Sequence, residues 1–462
     1  MKETHLQQDR QVVKLGLIKV VKDLFPDEVL KTAYSIEDGV FCRLTNSVLS
    51  EREVRQIAAG LDKWVEENQP IQFLYHKDGY YQYCIDGDIV KTVYPSLTQP
   101  AQAEPFRIVP FDSGFIVDFS DIRNEEDSPF ILPQKLAETY TKTHNWLENI
   151  DMELVEDLNR YILTGRSWEL ISIAEALQEK EIADISDAIL KQRRALRVIL
   201  IAGPSSSGKT TFLNRLSTQL RVNGLKPLQL SLDDYFVDRD QTPKDKEGKY
   251  DFENLDALDL KLLHKQIKEL IAGEVIEAPI FDFIRGKRAT TTKIMKLHAD
   301  EILVVEGIHA LNPRLMPSVY RNMFFKIYIS ALFGPNLDME NRVPSTEVRL
   351  IRRMVRDERS RGAAPEHTFE MWPSVRRGEH RNVFKFQEEA DVMFNSSLLY
   401  EMNALRASAE KALQKVDKNG IHKSTLERLL NFTAFFEPIP TEKIPFNSIL
   451  REFIGGSIYF DC

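Results

Sequence analysis

The residues with the plainest chemical potential form the run Gly203-Pro204-Ser205-Ser206-Ser207-Gly208-Lys209-Thr210-Thr211. Its first eight positions fit the phosphate-binding spacing G-x-x-x-x-G-K-[ST] at every fixed position. The two glycines let the backbone curl until its N–H groups point at phosphate oxygens. Lys209 then reaches the β/γ-phosphates, and the Thr210 hydroxyl is set for Mg²⁺. Such a loop works only between a strand and a helix. The apolar, β-branched run 198–202 reads as a buried parallel strand. The amphipathic segment 212–222 supplies the helix, whose N-terminus adds partial positive charge. The arrangement is a nucleotide-phosphate site.

Two acidic positions and a row of arginines have matching chemistry. A second apolar strand, 227–232, ends in Asp233-Asp234-Tyr235-Phe236, and a carboxylate at the end of a parallel strand lies on the rim where ligands bind. Side chains alternate there, so one of Asp233 and Asp234 faces the cleft. The run 302–305 closes on Glu306, a Walker-B-like carboxylate held near a metal. Arg349, Arg352, Arg353 and Arg356 stand three and four apart, so they share a helical face and can converge on phosphoryl oxygens. A solvated basic face is the plainer alternative.

The chain has 462 residues, 43% of them hydrophobic and 28% charged, which predicts two or three soluble domains. A net charge of −9 argues against general nucleic-acid or membrane binding, leaving room for local basic patches. Cys42, Cys84 and Cys462 lack C-x-x-C spacing, so neither a disulfide framework nor a zinc site is indicated. No signal-peptide pattern or membrane-length apolar run occurs, and a reducing cytoplasm is the expected home.

The elements that must hold the site follow from pattern. In residues 1–130 the periodicity predicts a helix over 12–24, strands over 33–44, 71–85 and 115–119, and a helix over 50–67 opened by a Ser50/Glu53 capping box. The Pro-rich stretch 94–110 reads as loop or edge strands, making this a separate α+β domain. Residues 131–195 read as a solvated helical connector, with helices 134–149, 152–164 and 167–194, the last broken near Lys180. Residues 196–420 form the α/β domain, a mainly parallel sheet with helices on both faces. In the tail, 421–462, the stripe Ile449, Leu450, Phe453 and Ile454 is expected to pack on the body.

The order G-P-S-S-S-G-K-T-T, S-L-D-D-Y-F, P-I-F-D-F, V-V-E-G-I-H and R-R-M-V-R-D is similar to the uridine kinase/phosphoribulokinase family of P-loop kinases. It resembles most the bacterial subgroup with a synthetase-like domain ahead of the kinase. The stretch from Leu24 to Cys42 resembles the second N-terminal domain of threonyl-tRNA synthetases, which edits with His and Cys ligands. His5 and His76 lack that spacing, so no metal site is expected there. Members usually carry a further small domain ahead, and this sequence is expected to start after it.

The resemblance implies transfer of the ATP γ-phosphoryl group to a small-molecule hydroxyl, most simply that of a uridine- or cytidine-like nucleoside. It implies that Asp233 faces that hydroxyl, and that Thr210, Asp233 and Glu306 surround Mg²⁺. Residues 203–211 with Arg352 and Arg356 would hold the nucleotide. Arg353 would act with Lys209 in catalysis and with Arg349 on the substrate. Glu253 aligns with a ribose-gripping Asp, Phe281 with a base-contacting Tyr, and Gly286 with a His; Ala363 and Met371 align with an Arg and a Gln. Those departures leave a non-nucleoside acceptor open. A nucleotide-dependent regulatory or RNA-associated protein and a catalytically retired oligomeric module are the rival classes. The expected partner is a small molecule, with no membrane, no strong nucleic-acid signal, and self-association left open.

Overall fold

Two Asp-Gly pairs set the first hairpins. Asp78-Gly79 and Asp86-Gly87 have φ values of 52°, 81° and 51°, 88°, the left-handed pair that a two-residue turn needs. They fold the region expected as one strand over 71–85 into two, Gln72–Lys77 and Tyr80–Ile85, and add Asp88–Thr92 beyond it to complete a three-stranded antiparallel sheet. The turn chemistry of Asp78-Gly79 outranks the apolar pattern on either side of it. The strand expected over 33–44 is likewise two, Leu30–Ile36 and Gly39–Leu44, joined by Gly114–Asp118 and Arg107–Phe111 in a four-stranded antiparallel sheet. The helix Glu51–Glu67 starts as expected, with Ser50 and Glu53 capping one another. It meets the helix Lys2–Leu24 at two glycines. A Cβ on Gly16 would fall 2.4 Å from Trp64, and one on Gly60 2.8 Å from Val20.

The computed structural model describes residues 2–36, 39–119, 133–245, 248–283, 285–315 and 322–460, with side chains from residue 8 onward. The expected boundary at 130–131, the His5 side chain and Cys462 lie outside the described residues. The chain divides into two units. The first joins Met1–Arg166 to Phe333–Glu347 and Val416–Pro438; the second joins Ser167–Leu332 to Val348–Lys415 and Ile439–Cys462. The expected connector is therefore divided. Its helices Gln134–Asn149 and Val155–Leu163 fall in the first unit and Ser167–Gln192 in the second.

That last helix runs unbroken through Lys180 and is not a solvated connector. Ile171, Ala174, Gln178, Ile182, Ile185 and Ile189 recur at three- and four-residue steps and are buried. The helix is also tied to the helix Lys209–Val222, where the buried Arg215 donates to Gln178 at 3.1 Å and Glu179 at 2.8 Å. The abundance of charge masked this stripe.

At the centre of the second unit is a five-stranded, all-parallel sheet. Its spatial order is Val392–Asn395, Phe324–Ser330, Val198–Ala202, Glu301–Glu306, Lys226–Ser231. Val198, Ile199, Leu200 and Ile201 are all buried, as a central strand covered on both faces requires. The carboxyl ends of these strands carry the candidate site.

Candidate active site

Val198–Ala202 is hydrogen-bonded along both edges, so the chain leaves it only at its carboxyl end. There Gly203 passes so close to the next strand that a Cβ would lie 2.2 Å from the Ile329 carbonyl oxygen. The loop turns through Ser206 at φ 60° and Gly208 at φ 82°, and Gly208 caps the helix Lys209–Val222. The buried Ser206 and Ser207 hydroxyls make no hydrogen bond within the protein. Buried donors of that kind at a helix N-terminus suit an anion, so the loop fits nucleotide phosphates. Lys209 Nζ donates to the Pro204 carbonyl at 3.1 Å, folded across the loop.

A cavity of about 650 Å³ opens over the loop. Ser205, Ser206, Gly208, Lys209 and Thr210 line it, while Gly203, Pro204, Ser207 and Thr211 stay outside its walls. Asp233, Glu253, Phe281, Glu306, Arg353 and Arg356 also line it. The strand expected to run to Leu232 ends at Ser231, and the 3-10 turn Leu232–Tyr235 that follows sets the two aspartates apart. Asp233 borders the cavity, whereas Asp234 accepts the Phe281 N–H at 3.3 Å.

Thr210, Asp233 and Glu306 offer the hard oxygen donors that suit a divalent cation. Glu306 is buried, accepts the Ser231 hydroxyl at 3.1 Å, and is pushed up to about 7 by burial and by the Asp233 carboxylate. Burial and the Glu379 carboxylate push Glu253 up to about 7 as well. Two carboxylates so placed would be charge-matched by a bound cation or cationic complex.

The four arginines of the helix Ser345–Arg361 do not converge. Arg353 and Arg356 reach the cavity, and the Arg353 Nη1 donates to Ser205 Oγ at 3.0 Å. Arg352 is fully buried. It forks onto Glu401 at 3.1 and 2.5 Å and donates to the Ser206 carbonyl at 3.4 Å, which supports the loop from its far side. Arg349 donates to the Ser205 carbonyl at 3.2 and 3.1 Å and pairs with Glu379. The four positions spread over an arc of about 100° on the helix, and acids from other elements, Glu379 for Arg349 and Glu401 for Arg352, draw those two away from the cavity.

Sequence reasoning missed Glu379. Fully buried on the helix Pro365–Asn382, it accepts the Ser205 N–H at 3.0 Å and so fixes the phosphate loop. An acid alone within Arg376-Arg377-Gly378-Glu379-His380-Arg381 was the available signal. Its neighbour Gly378 allows a close approach, since a Cβ there would fall 2.3 Å from Glu253 Cβ.

Ala363 and Met371 line the cavity, as do the rings of Phe236, Phe252 and Phe283. Gly286 does not; a Cβ there would lie 2.7 Å from Arg239 Nε, and it is Arg239 that borders the cavity.

In the first unit, His144, Glu148 and Glu153 bring ligand atoms within 4.8 Å of one another. Cations of the protein already sit on them. Lys31 Nζ is 2.7 Å from His144 Nε2, and Arg43 Nη2 is 2.7 Å from His144 Nε2 and from Glu148. Burial, with Lys31 and Arg43, pushes His144 down to about 4.

A five-stranded parallel sheet with a phosphate loop leading from its central strand into a helix defines a P-loop kinase domain. Residues 198–399 match the phosphoribulokinase / uridine kinase family, and the chain belongs to it. A uridine kinase of Borrelia duttonii (strain Ly) is 30% identical over 230 residues, covering 48% of this chain and 98% of the relative. One from Ligilactobacillus salivarius (strain UCC118) is 28% identical over 197 residues, 42% and 83%. Among solved structures, a possible uridine kinase from Bacillus stearothermophilus matches 46% of this chain and all of its own, at 21% identity and a TM-score of 0.31.

Proposed function

We propose that this chain is an ATP-dependent kinase that transfers the γ-phosphoryl group to a hydroxyl of a small molecule, with a uridine- or cytidine-like nucleoside as acceptor. One observation carries the reading. Lys209 and Thr210 of the phosphate loop share a cavity with Asp233, Glu306, Arg353 and Arg356. The names of the uridine kinase relatives, and a cavity wall that carries both Glu253 and the rings of Phe236, Phe252 and Phe281, support a nucleoside.

In this reading Asp233 holds the acceptor hydroxyl and takes its proton as the oxygen attacks the γ-phosphorus. The bond from that phosphorus to the bridging oxygen breaks, and ADP leaves with the electron pair. Lys209, Arg353 and Arg356 neutralise charge on the transferring group, and the loop N–H groups hold the remaining phosphates. Thr210, Asp233 and Glu306 would hold Mg²⁺, which shields phosphate charge when bound.

Arg239 gives a second reading some weight. A guanidinium beside Gly286, the position aligned with the nucleoside-contacting His, also suits an acceptor carrying an anionic group. The test is a panel of nucleosides, sugars, sugar acids and vitamins with ATP and Mg²⁺, scored for acceptor-dependent ADP release. Uridine or cytidine is expected to lead and Lys209→Ala to abolish turnover. Turnover led by a sugar acid would transfer the assignment to the second reading. ADP release that rises with RNA and needs no small acceptor would overturn both.

A further inference from the structure

The end of the chain returns to the cavity. The family match stops at residue 399, yet Arg451, Glu452, Gly455, Gly456 and Phe460 line the same cavity as Lys209. This hook is anchored at both of the elements that surround the phosphates. Ile449, Leu450 and Phe453 are fully buried, and Ile449 packs where a Cβ on Gly208 would come within 2.6 Å. The Thr211 hydroxyl, one residue past the phosphate-binding motif, donates to Glu452 Oε2 at 3.0 Å. From the helix Ser345–Arg361, Arg359 donates to the Phe453 carbonyl at 3.0 Å and to the Glu452 carbonyl at 3.1 Å. Arg451 secures the base of the hook by donating to the carbonyls of Thr441 at 2.9 Å and Ile444 at 2.5 Å. Gly455 and Gly456, at φ 92° and 70°, then turn the chain so that Phe460 reaches the wall.

We propose that residues 447–460 are a donor clamp, which holds the nucleoside part of ATP. This rests on the kinase reading above. With the β- and γ-phosphates at Lys209 and Thr210, the remainder of the donor continues past the first helical turn, the place where the hook grips Thr211. A half-buried aromatic ring on the cavity wall is what holds a purine by stacking. Glu452 is a positioning residue: it touches the protein at Thr211 and acts through it. Neither role could be read from the motif block, because Glu452 and Phe460 lie more than fifty residues beyond the matched region.

Titration calorimetry of the full chain with ATP and Mg²⁺, and no acceptor, tests the clamp. Phe460→Ala is expected to weaken ATP binding roughly fivefold or more, the loss typical of a removed stacking ring, with an unchanged melting temperature. A chain ended at Tyr459 should behave alike, and serves if the first variant misfolds. Glu452→Ala should weaken binding and Glu452→Gln, which still accepts from Thr211, should restore it. Wild-type affinity in both Phe460 variants would overturn the clamp and leave the kinase reading standing. A wild-type chain that binds no more ATP than Lys209→Ala would overturn both.

Discussion

Asp233 and Asp234 differ by one position and in nothing else that chemistry could see, and their surroundings set them apart. Asp234 spends its Oδ1 on the Phe281 N–H and burial raises its pKa, while Asp233 borders the cavity. A positioned base contributes about 10²–10⁴-fold to rate. Asp233→Asn is therefore expected to lower kcat by roughly that factor with ATP affinity nearly unchanged, and Asp234→Asn to be milder. Steady-state kinetics and ATP titration of both variants check this, and a reversed order would put the wrong carboxylate at the acceptor. Glu253 makes a prediction of opposite sign for stability. Its carboxyl is pushed up to about 7, above its ordinary value, so between about 4.5 and 7 the folded protein binds more protons than the unfolded one. Stability contributed by this group falls as pH rises through that window. Glu253→Gln should thus melt higher than wild type at pH 8, with the gap closing by pH 5, while acceptor turnover is lost. A gap that widens toward pH 5 would contradict it. The motif residues were legible because their chemistry fixes type and spacing together. Glu379 was not, because its partner, the Ser205 N–H, is 174 residues away in the chain.

At the scale of the element, the helix Ser345–Arg361 divides its arginines between two tasks. Arg352 is fully buried against Glu401, Ser396 and the Ser206 carbonyl, whereas Arg356 borders the cavity and pairs with Asp357 at 2.8 Å. Removing Arg352 leaves Glu401 charged and buried without its fork, a loss of about 3–5 kcal/mol. Arg352→Ala is expected to show that loss in urea denaturation, and Arg352→Lys to recover little of it, because one ammonium cannot replace two parallel bonds. Arg356→Ala should instead keep the denaturation midpoint and lose turnover. Equal midpoints for Arg352→Ala and wild type would place Arg352 outside the scaffold. Periodicity identified this helix and its basic character but not the inward side, which depends on Glu379 and Glu401 from other elements. The helix Ser167–Gln192 teaches the same lesson in reverse. Its buried stripe was present in the sequence, and the charged residues between its members drew the reading toward solvent.

At the scale of the whole molecule, the first unit is assembled from three stretches of chain. Asn336 donates to the Thr32 carbonyl at 2.8 Å and accepts the Val155 N–H at 2.8 Å, so residues 333–347 tie the four-stranded sheet to the helix Val155–Leu163. Asn431 donates to the Gly79 carbonyl at 3.0 Å, and Phe435 packs where a Cβ on Gly79 would come within 2.5 Å. Asn159 donates to the Phe435 carbonyl at 2.8 Å and accepts the Glu437 N–H at 2.9 Å. Leu429, Phe432 and Phe436 are fully buried within this unit. Each of these segments reads locally as an ordinary helix or loop, so nothing in its own residues announces where it packs. A fragment of residues 1–166 would lose Phe333, Leu426, Leu429, Phe432 and Phe436 from its core, and the partners of several main-chain groups; buried polar groups left unpaired cost about 1–3 kcal/mol each. Against a typical domain stability of about 5–15 kcal/mol, that loss is decisive. The fragment is expected to keep far-UV helix and strand signal, to lose near-UV signal, to bind 8-anilinonaphthalene-1-sulfonate, and to melt without a cooperative transition. The full chain, melted in parallel, should show a sharp one. A fragment that melts cooperatively within a few degrees of the full chain would mean that residues 1–166 hold a complete core, and that the two later segments only decorate it.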